Sequence, residues 1–275
     1  MRDADLDRFK QLIRAGAGGQ DIFDADKAVG FASNSGRVNE AFVQTEIDRM
    51  AMHQRSLCPI LETHVGRCES ILDVGCSSGA TTVALSLSSS LQPEKVIGID
   101  PNLLSLQAAE VRARAYDLSS ERVVFRQVIP GDKLPFEDGS FALVTCVSVL
   151  EFISRVEQRK LLIDEMKRVT RVGGHVFLST TNALRLREYH SRRFFGNQRR
   201  REGYPWANSP WQLRKFFADF DLVDLSAYES NRMFEKLGAK SRTLPRSISK
   251  VMLYAYPWQK VLARKVRLPA AARLT

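Results

Sequence analysis

The sequence has few cysteines and histidines and no long hydrophobic segment. Its four cysteines (Cys58, Cys68, Cys76 and Cys146) are too few and too irregularly spaced for a disulfide framework or a zinc site. The four histidines also lack the spacing of metal ligands, so no metal is predicted. The longest dense apolar run, 142–150, has the length of a strand, so no membrane-spanning helix is expected. The chain begins with alternating acidic and basic residues rather than an apolar signal segment, and a cytoplasmic location is expected.

Two nucleotide-binding patterns are also missing. The first glycine-containing turn has Ser77 where a dinucleotide-binding G-x-G-x-x-G sequence has its second glycine. No G-x-x-x-x-G-K-[ST] loop for binding phosphate follows it. A cofactor held through its pyrophosphate is therefore disfavoured.

The charge of the chain is unevenly distributed. Hydrophobic residues make up 44% and charged residues 26% of the 275 residues, values typical of a globular protein with a substantial core. The net charge of +10 comes entirely from 181–275, which hold 20 Lys and Arg against 7 Asp and Glu. This asymmetry indicates a surface for an anion, such as a nucleic acid, anionic lipid or phosphorylated substrate, or else a solvated surface without a partner.

Short apolar strands alternate with amphipathic helices in the middle of the chain. Such alternation predicts an α/β fold with a doubly wound, mostly parallel sheet covered by helices on both faces. We predict a helical extension at 1–66 that caps the site, a central domain at 67–230 with an insertion at 182–209, and a basic extension at 231–275. Strands are predicted at 71–74, 95–99, 123–128, 141–150, 175–180 and 221–228, and helices at 82–88, 105–116, 155–170 and 210–220, with Gly173 and Gly174 ending the third of these helices.

The turn after the first predicted strand has features of a ligand site. It lies in the sequence SILDVGCSSG, where Gly75 and Gly79 let a ligand approach the backbone because they lack side chains. Asp100 ends the second strand, where a carboxylate accepts hydrogen bonds from both hydroxyls of a ribose. Both features have structural alternatives, since the glycines also suit a tight turn and Asp100 also suits a helix N-cap before Pro101.

Together, the ordered motifs resemble the class I S-adenosylmethionine-dependent methyltransferases that act on small molecules. The resemblance covers 62–182 and includes SILDVGCSSG, VIGID, GDKLPFEDGSFALV and the glycine pair before the fifth strand. It implies a Rossmann-like fold, S-adenosyl-L-methionine as cofactor and transfer of its methyl group by in-line displacement.

The resemblance also assigns residues to the cofactor site. The first motif would surround the methionine and ribose, Asp100 would bind the ribose, and Pro101 would line the adenine edge. Asp132 is assigned to the adenine amine because Pro130 occupies the position of the family's adenine-binding Asp. Val147 and Ser148 would lie beneath the sulfonium. The full set is Asp73, Gly75, Cys76, Ser77, Gly79, Asp100, Pro101, Asp132, Val147 and Ser148.

Two departures from the family pattern concern catalysis. Ala142 replaces the acid of the family's F-D-x-V stretch, and Phe152 replaces the histidine of L-E-H-[IV]. His190, in the arginine- and aromatic-rich insertion, is the remaining candidate for a general base. Methyl transfer from a sulfonium mainly requires orientation and exclusion of water, so the loss of the histidine weakens an alcohol O-methyltransferase most.

Three functions remain open at this point. The resemblance favours O- or C-methylation of a small-molecule or lipid-linked acceptor. The basic third suggests an RNA methyltransferase, although Cys146 to Val149 stand where an enzyme acting on exocyclic amines has D/N-P-P-[YF], so nucleic acid is the less favoured partner. The departures from the family pattern suggest a non-catalytic binding protein on the same fold.

The segment 246–267 combines apolar, aromatic and basic residues. This composition suits peripheral contact with a membrane, where apolar side chains enter the acyl boundary and cations meet anionic headgroups. The alternative is that 251–256 form the last strand of the sheet, with their tyrosines in the core.

Overall fold

A single mixed sheet organises the part of the chain that the structure describes. The computed structural model describes residues 3–17, 40–153, 155–183, 208–225 and 258–266. In these residues the sheet has seven strands in the order β3-β2-β1-β4-β5-β7-β6. The strands are β1 (Ser70–Val74), β2 (Lys95–Asp100), β3 (Val123–Gln127), β4 (Phe141–Val147), β5 (Thr170–Thr181), β6 (Asp221–Leu222) and β7 (Trp258–Arg264).

The predicted Rossmann-like architecture is confirmed. Strands β1 to β5 pair in parallel, and β7 runs antiparallel between β5 and β6. The order reverses beside β1, so the carboxyl ends of β1, β2 and β4 frame a crevice of the kind in which such sheets bind ligands. The helices are α1 (Asp3–Ala17), α2 (Glu40–Ser56), α3 (Cys58–His64), α4 (Ala80–Ser86), α5 (Leu103–Arg114), α6 (Val156–Val169) and α7 (Pro210–Phe216), with a 3-10 helix at Leu150–Phe152.

Alternate residues of the central strands enter two separate cores. Ile71 of β1 packs with α3 and α4 on one face, whereas Leu72 packs with α6 and α7 on the other. Because successive side chains of a strand point to opposite faces, a sheet covered on both sides has nearly continuous apolar strands. This explains why β4 is buried along its length until Val147, at the edge of the crevice.

The N-terminal helices pack against α5. Phe9 of α1, Val43 of α2 and Ala108 of α5 belong to a third buried cluster. Burial of these apolar side chains attaches α1 and α2 to α5. The first helix, α1, continues through Gly16 and ends at Ala17.

Several predicted boundaries differ from the observed ones around β4 and β5. Strand β4 ends at Val147, three residues earlier than predicted, because Ser148 adopts a φ of 60° and a 3-10 helix follows. The prediction that Gly173 and Gly174 end a helix is wrong, because α6 ends at Val169 and both glycines lie inside β5. Gly173, with a φ of 81°, donates its N–H to the Lys265 carbonyl at 2.7 Å, so it serves an irregular strand.

The basic C-terminal segment contributes a strand to the sheet. Strand β7 pairs with β5 from His175↔Arg264 to Thr181↔Trp258, so the boundary predicted after residue 230 does not separate this segment from the sheet. The strand lies later than the predicted 251–256, and residues 226–257 lie outside the described part of the chain. Leu262 is fully buried and Lys265 is 3% exposed, so these residues of 246–267 pack in the domain rather than at a membrane surface.

Lys265 joins this C-terminal strand to the end of α6. Its Nζ donates to the carbonyl oxygens of Lys167 at 2.7 Å, Arg168 at 3.4 Å and Thr170 at 2.6 Å. The last carbonyls of a helix lack hydrogen-bond donors within the helix and carry partial negative charge. A buried ammonium group supplies the missing donors and also balances this charge.

We predict that Lys265→Met lowers the free energy of unfolding by about 2–3 kcal/mol, because three carbonyls lose a charged donor while the apolar stem is kept. Urea unfolding followed by circular dichroism measures this loss. The control is Lys160→Met at an exposed position on α6. Equal stability of the two variants would contradict the prediction.

Candidate active site

An open cavity of about 220 Å³ lies at the carboxyl ends of β1, β2 and β4. One wall is formed by the loop after β1 and another by the residues after β3. The 3-10 helix after β4 and Leu162 of α6 complete it. The lining residues are Val74, Gly75, Ser77, Ile99, Asp100, Pro101, Val128, Ile129, Pro130, Gly131, Asp132, Leu134, Ser148, Val149, Phe152, Ile153 and Leu162.

Asp100 joins the loops that follow β1 and β2. Its Oδ2 accepts a hydrogen bond from the Ser77 N–H at 2.9 Å, and its Oδ1 accepts one from the Asn102 N–H at 2.9 Å. Burial raises the pKa of this carboxyl above its ordinary value, and the two N–H donors oppose that rise. The oxygens retain lone pairs for further donors, so a ligand hydroxyl in the cavity can also bind this carboxylate.

Gly75 lets the loop after β1 pass close to the 3-10 turn. Its φ is +70°, and a Cβ built there would lie 2.3 Å from Val149 Cγ2. A side chain would therefore be strained and would also collide with another wall of the cavity. Ser77 and Ser148 have positive φ values as well, 46° and 60°, which are uncommon for residues with side chains and occur at sites where the surroundings hold them.

Asp73 lies behind the cavity rather than in its wall. It is 1% exposed, and its carboxylate accepts hydrogen bonds from Thr82 Oγ1 at 2.7 Å and Thr145 Oγ1 at 2.9 Å. Burial raises its pKa to about 6, against the opposing effect of the two hydroxyls. Asp73 thus links β1 to α4 and β4, so its contact with a ligand is indirect.

The predicted site residues fall into two groups. Gly75, Ser77, Asp100, Pro101, Asp132 and Ser148 line the cavity, whereas Asp73, Cys76, Gly79 and Val147 are outside its lining. Cys76 is a buried thiol whose pKa burial raises well above its ordinary value, which fits an inert filler. Gly79 begins α4 with a φ of +74°, and a Cβ there would lie 2.7 Å from Ala109 Cβ, so it allows close packing on α5.

Sequence reasoning missed the apolar wall on the α6 side. Val149, Phe152, Ile153 and Leu162 line this part of the cavity. In the sequence, Phe152 stands out only as the replacement of a histidine, and Leu162 is one residue of the helix predicted at 155–170. The available signal was the group of apolar residues that follows the end of β4 in the sequence, namely Val149, Leu150, Phe152 and Ile153.

The residues after β3 form the opposite wall. Val128, Ile129 and Pro130 line the cavity together with the exposed Asp132, whose N–H donates to the Ile129 carbonyl at 3.3 Å. Ile129 is 70% exposed and lines the cavity, so its side chain presents apolar surface to whatever the cavity binds. Pro130 has no side-chain acceptor, so Asp132 supplies the carboxylate of this wall.

The candidate base His190 and most of the insertion predicted at 182–209 lie outside the described residues. The structure describes a buried acid near the cavity instead: Glu151, whose Oε2 accepts a hydrogen bond from Thr180 Oγ1 at 2.8 Å. It follows Leu150 in the 3-10 helix and precedes the cavity-lining Phe152. In the described ranges there is no group of three or more His, Cys, Asp and Glu side chains placed to hold a metal ion.

Comparison with known proteins identifies the domain. Residues 72–178 match the family described as a methyltransferase domain. An uncharacterized methyltransferase of Schizosaccharomyces pombe is 34% identical over 125 residues, or 44% of this chain and 43% of that protein. The ubiquinone biosynthesis O-methyltransferase of Acinetobacter baylyi is 32% identical over 113 residues, or 41% of this chain and 43% of that protein. This region is a class I S-adenosylmethionine-dependent methyltransferase domain.

A solved structure has the same fold as the methyltransferase domain. The geranyl diphosphate C-methyltransferase of Streptomyces coelicolor superimposes with a TM-score of 0.53 at 17% identity, covering 81% of this chain and 83% of that one. This similarity concerns the fold alone. The match to each of the two curated relatives above covers 43% of that relative's length, less than half.

The cavity of the methyltransferase domain fits its cofactor, S-adenosyl-L-methionine. The carboxylate of Asp100 can accept hydrogen bonds from hydroxyls such as those of a ribose, and Val128, Ile129 and Pro101 present apolar surface on which the face of an aromatic ring can pack. Gly75 belongs to the lining of the cavity, and its lack of a side chain lets Val149 pack directly against the loop after β1. No helix in the described ranges is both long and apolar enough to cross a bilayer.

We predict that Asp73→Asn changes how stability depends on pH. A raised pKa means that the folded protein binds this proton more tightly than the unfolded chain, so wild-type stability falls as pH rises from the ordinary pKa of 3.8 to about 6. The amide introduced by the substitution lacks this titration but can still bond both threonine hydroxyls. The stability of the variant relative to wild type should therefore rise by about 2 kcal/mol over that interval.

Urea unfolding at a series of pH values measures this difference. Asp164→Asn, at an exposed position on α6, is the matched control and should show no such rise. A constant difference between Asp73→Asn and wild type across the interval would show that Asp73 does not titrate as described.

Proposed function

We propose that the chain methylates a small-molecule or lipid-linked acceptor, on oxygen or carbon, with S-adenosyl-L-methionine as methyl donor. The single observation that carries the proposal is the Asp100 carboxylate, which lies at the end of β2 and faces a cavity whose other wall begins at Gly75. The bound cofactor supplies a methyl group already activated by the positive charge of its sulfonium. The side chains of the cavity then need only to bind, orient and exclude water.

Different residues of the cavity would contact different parts of the cofactor. Asp100 would accept hydrogen bonds from the ribose hydroxyls, and Asp132 would accept one from the adenine amine. Gly75 and Ser77 would border the cofactor with their backbone, and Ser148 would lie beneath the reacting centre. These roles follow from the family resemblance, and the lining of the cavity supports them.

The α6 side supports an apolar or aromatic part of the acceptor. Val149, Phe152, Ile153 and Leu162 present hydrocarbon surface next to Ser148. Such a wall displaces water from the reacting centre and favours a substrate with an apolar body. Curated relatives named ubiquinone biosynthesis O-methyltransferase, 27–32% identical over 112–124 residues, support a small-molecule acceptor methylated on oxygen.

We expect Asp100→Ala to weaken S-adenosyl-L-methionine binding by about tenfold to a hundredfold, because a charged acceptor of two ligand hydroxyls is lost. Titration calorimetry measures the dissociation constant, and circular dichroism checks the fold. Glu110→Ala, at an exposed position on α5, is the control and should bind like wild type. Unchanged affinity in a folded Asp100→Ala variant would refute this role of Asp100.

The acceptor class is tested by supplying methyl-labelled cofactor and a cell extract that is afterwards separated into RNA, lipid-soluble and water-soluble fractions. The proposal expects label in the lipid-soluble or water-soluble small-molecule fraction, with much less in the presence of Asp100→Ala. Label in the RNA fraction would support the nucleic-acid alternative. Tight cofactor binding with label in none of the fractions would support a non-catalytic binding protein.

A further inference from the structure

A buried polar cluster joins the N-terminal helices to the loop at the cofactor cavity. We call it the Arg112 cluster; its members are Phe9 of α1, Glu46 and Arg49 of α2, Ser78 of the loop after β1, and Arg112 of α5. Glu46 is 2% exposed, and Ser78 and Arg112 are each 1% exposed. No member of this cluster lines the cavity.

Arg112 is the centre of the cluster. Its Nε donates to the Ser78 carbonyl at 2.8 Å, and its Nη2 donates to the Glu46 carbonyl at 2.6 Å and to Ser78 Oγ at 3.2 Å. The guanidinium also lies 4.6 Å from the centre of the Phe9 ring. A single side chain of α5 therefore contacts α1, α2 and the loop after β1.

Glu46 completes the link from α2 to the loop. Its Oε2 accepts the hydroxyl of Ser78 at 2.6 Å, and its Oε1 lies 2.6 Å from Arg49 Nη2. Burial lowers the pKa of Arg112 to about 10, with the nearby Glu46 opposing this effect, so Arg112 is charged at neutral pH. Buried charges persist only where partners of this kind compensate their loss of hydration.

The loop held by this cluster is the one that borders the cavity. Ser78 is the direct neighbour of Ser77, which lines the cavity with a φ of 46° and donates its N–H to Asp100. The strained backbone of Ser77 is thus fixed from the cavity side by Asp100 and from the opposite side through Ser78. A shift of α2 would change the position of Ser77 and of the Asp100 carboxylate.

We propose that Glu46 and Arg112 are positioning residues for the cofactor, acting through Ser78 on the loop that ends in the cavity. The inference rests on the proposed function, because it takes the ligand of this cavity to be S-adenosyl-L-methionine or its product. It follows that cofactor binding and docking of α1 and α2 are coupled, and linkage requires each to stabilise the other. A cluster that serves stability alone would not change the affinity of the folded protein.

The test uses S-adenosyl-L-homocysteine as ligand and a set of matched variants. Ser78→Ala removes the hydroxyl but keeps the carbonyl that Arg112 contacts, and Glu46→Ala removes the acceptor of that hydroxyl. Glu46→Gln keeps an oxygen for Ser78. The control is Glu40→Ala, which breaks an exposed ion pair between α2 and Arg14 of α1 without touching the loop.

We expect Ser78→Ala and Glu46→Ala each to raise the dissociation constant about fivefold or more, in the range typical of coupling between sites. The variant that carries both Ser78→Ala and Glu46→Ala should bind the ligand no more weakly than the single variants, because the two substitutions remove the same hydrogen bond. Glu46→Gln should recover most of the affinity, and Glu40→Ala should bind like wild type. In wild type, the ligand should also slow hydrogen exchange of the α2 amides.

The outcomes separate this inference from the proposed function. A wild-type protein that does not bind S-adenosyl-L-homocysteine contradicts the proposed function. If wild type binds S-adenosyl-L-homocysteine and a folded Ser78→Ala variant binds it with the same dissociation constant, the positioning role is overturned. Exchange at α2 that the ligand leaves unchanged in wild type overturns it as well, and this measurement applies even if Glu46→Ala does not fold.

Discussion

The hydrogen bonds of the Asp100 carboxylate hold the ligand-facing edge of the sheet together. One carboxylate oxygen binds the N–H of Ser77 after β1, and the other binds the N–H of Asn102 before α5. The cavity exists because these two loops are fixed where the strand order reverses. The same bonds stabilise the positive φ of Ser77 and help Asn102 to cap α5, where its side chain accepts the Ser105 N–H. Asp100 therefore holds both loops in place and also lines the cavity between them.

The parts of the fold that depend on local sequence were predictable, and the parts that depend on distant contacts were not. The apolar run at β4 and the glycine turn after β1 reflect local requirements, namely burial on two faces and close backbone approach. Strand β7 is different, because its place beside β5 comes from pairing across more than 75 residues of sequence. Gly173 was mispredicted for the same reason: its φ of 81° suits a helix end, but its N–H is bonded to the distant Lys265.

Net charge identified an asymmetry but not its cause. Part of the positive charge in the last third serves the structure itself, since Lys265 caps the end of α6 with its buried ammonium group. A count of charges does not separate such cations from those that meet a partner, because burial and partners are properties of the folded chain. The same limit applied to Asp73, which the motif grouped with the cofactor residues although its carboxylate bonds Thr82 and Thr145 behind the cavity.

The loss of the family histidine at Phe152 is consistent with the composition of the cavity. Its α6 side is lined by the apolar side chains of Val149, Phe152, Ile153 and Leu162, and the neighbouring acid Glu151 is buried and bonded to Thr180. An apolar wall lowers the barrier for an in-line displacement by excluding water and fixing the approach of the nucleophile, neither of which needs a titratable group. Precision of position then becomes the main requirement. The positioning role that we propose for Glu46 and Arg112, which hold the loop after β1 through Ser78, would meet this requirement.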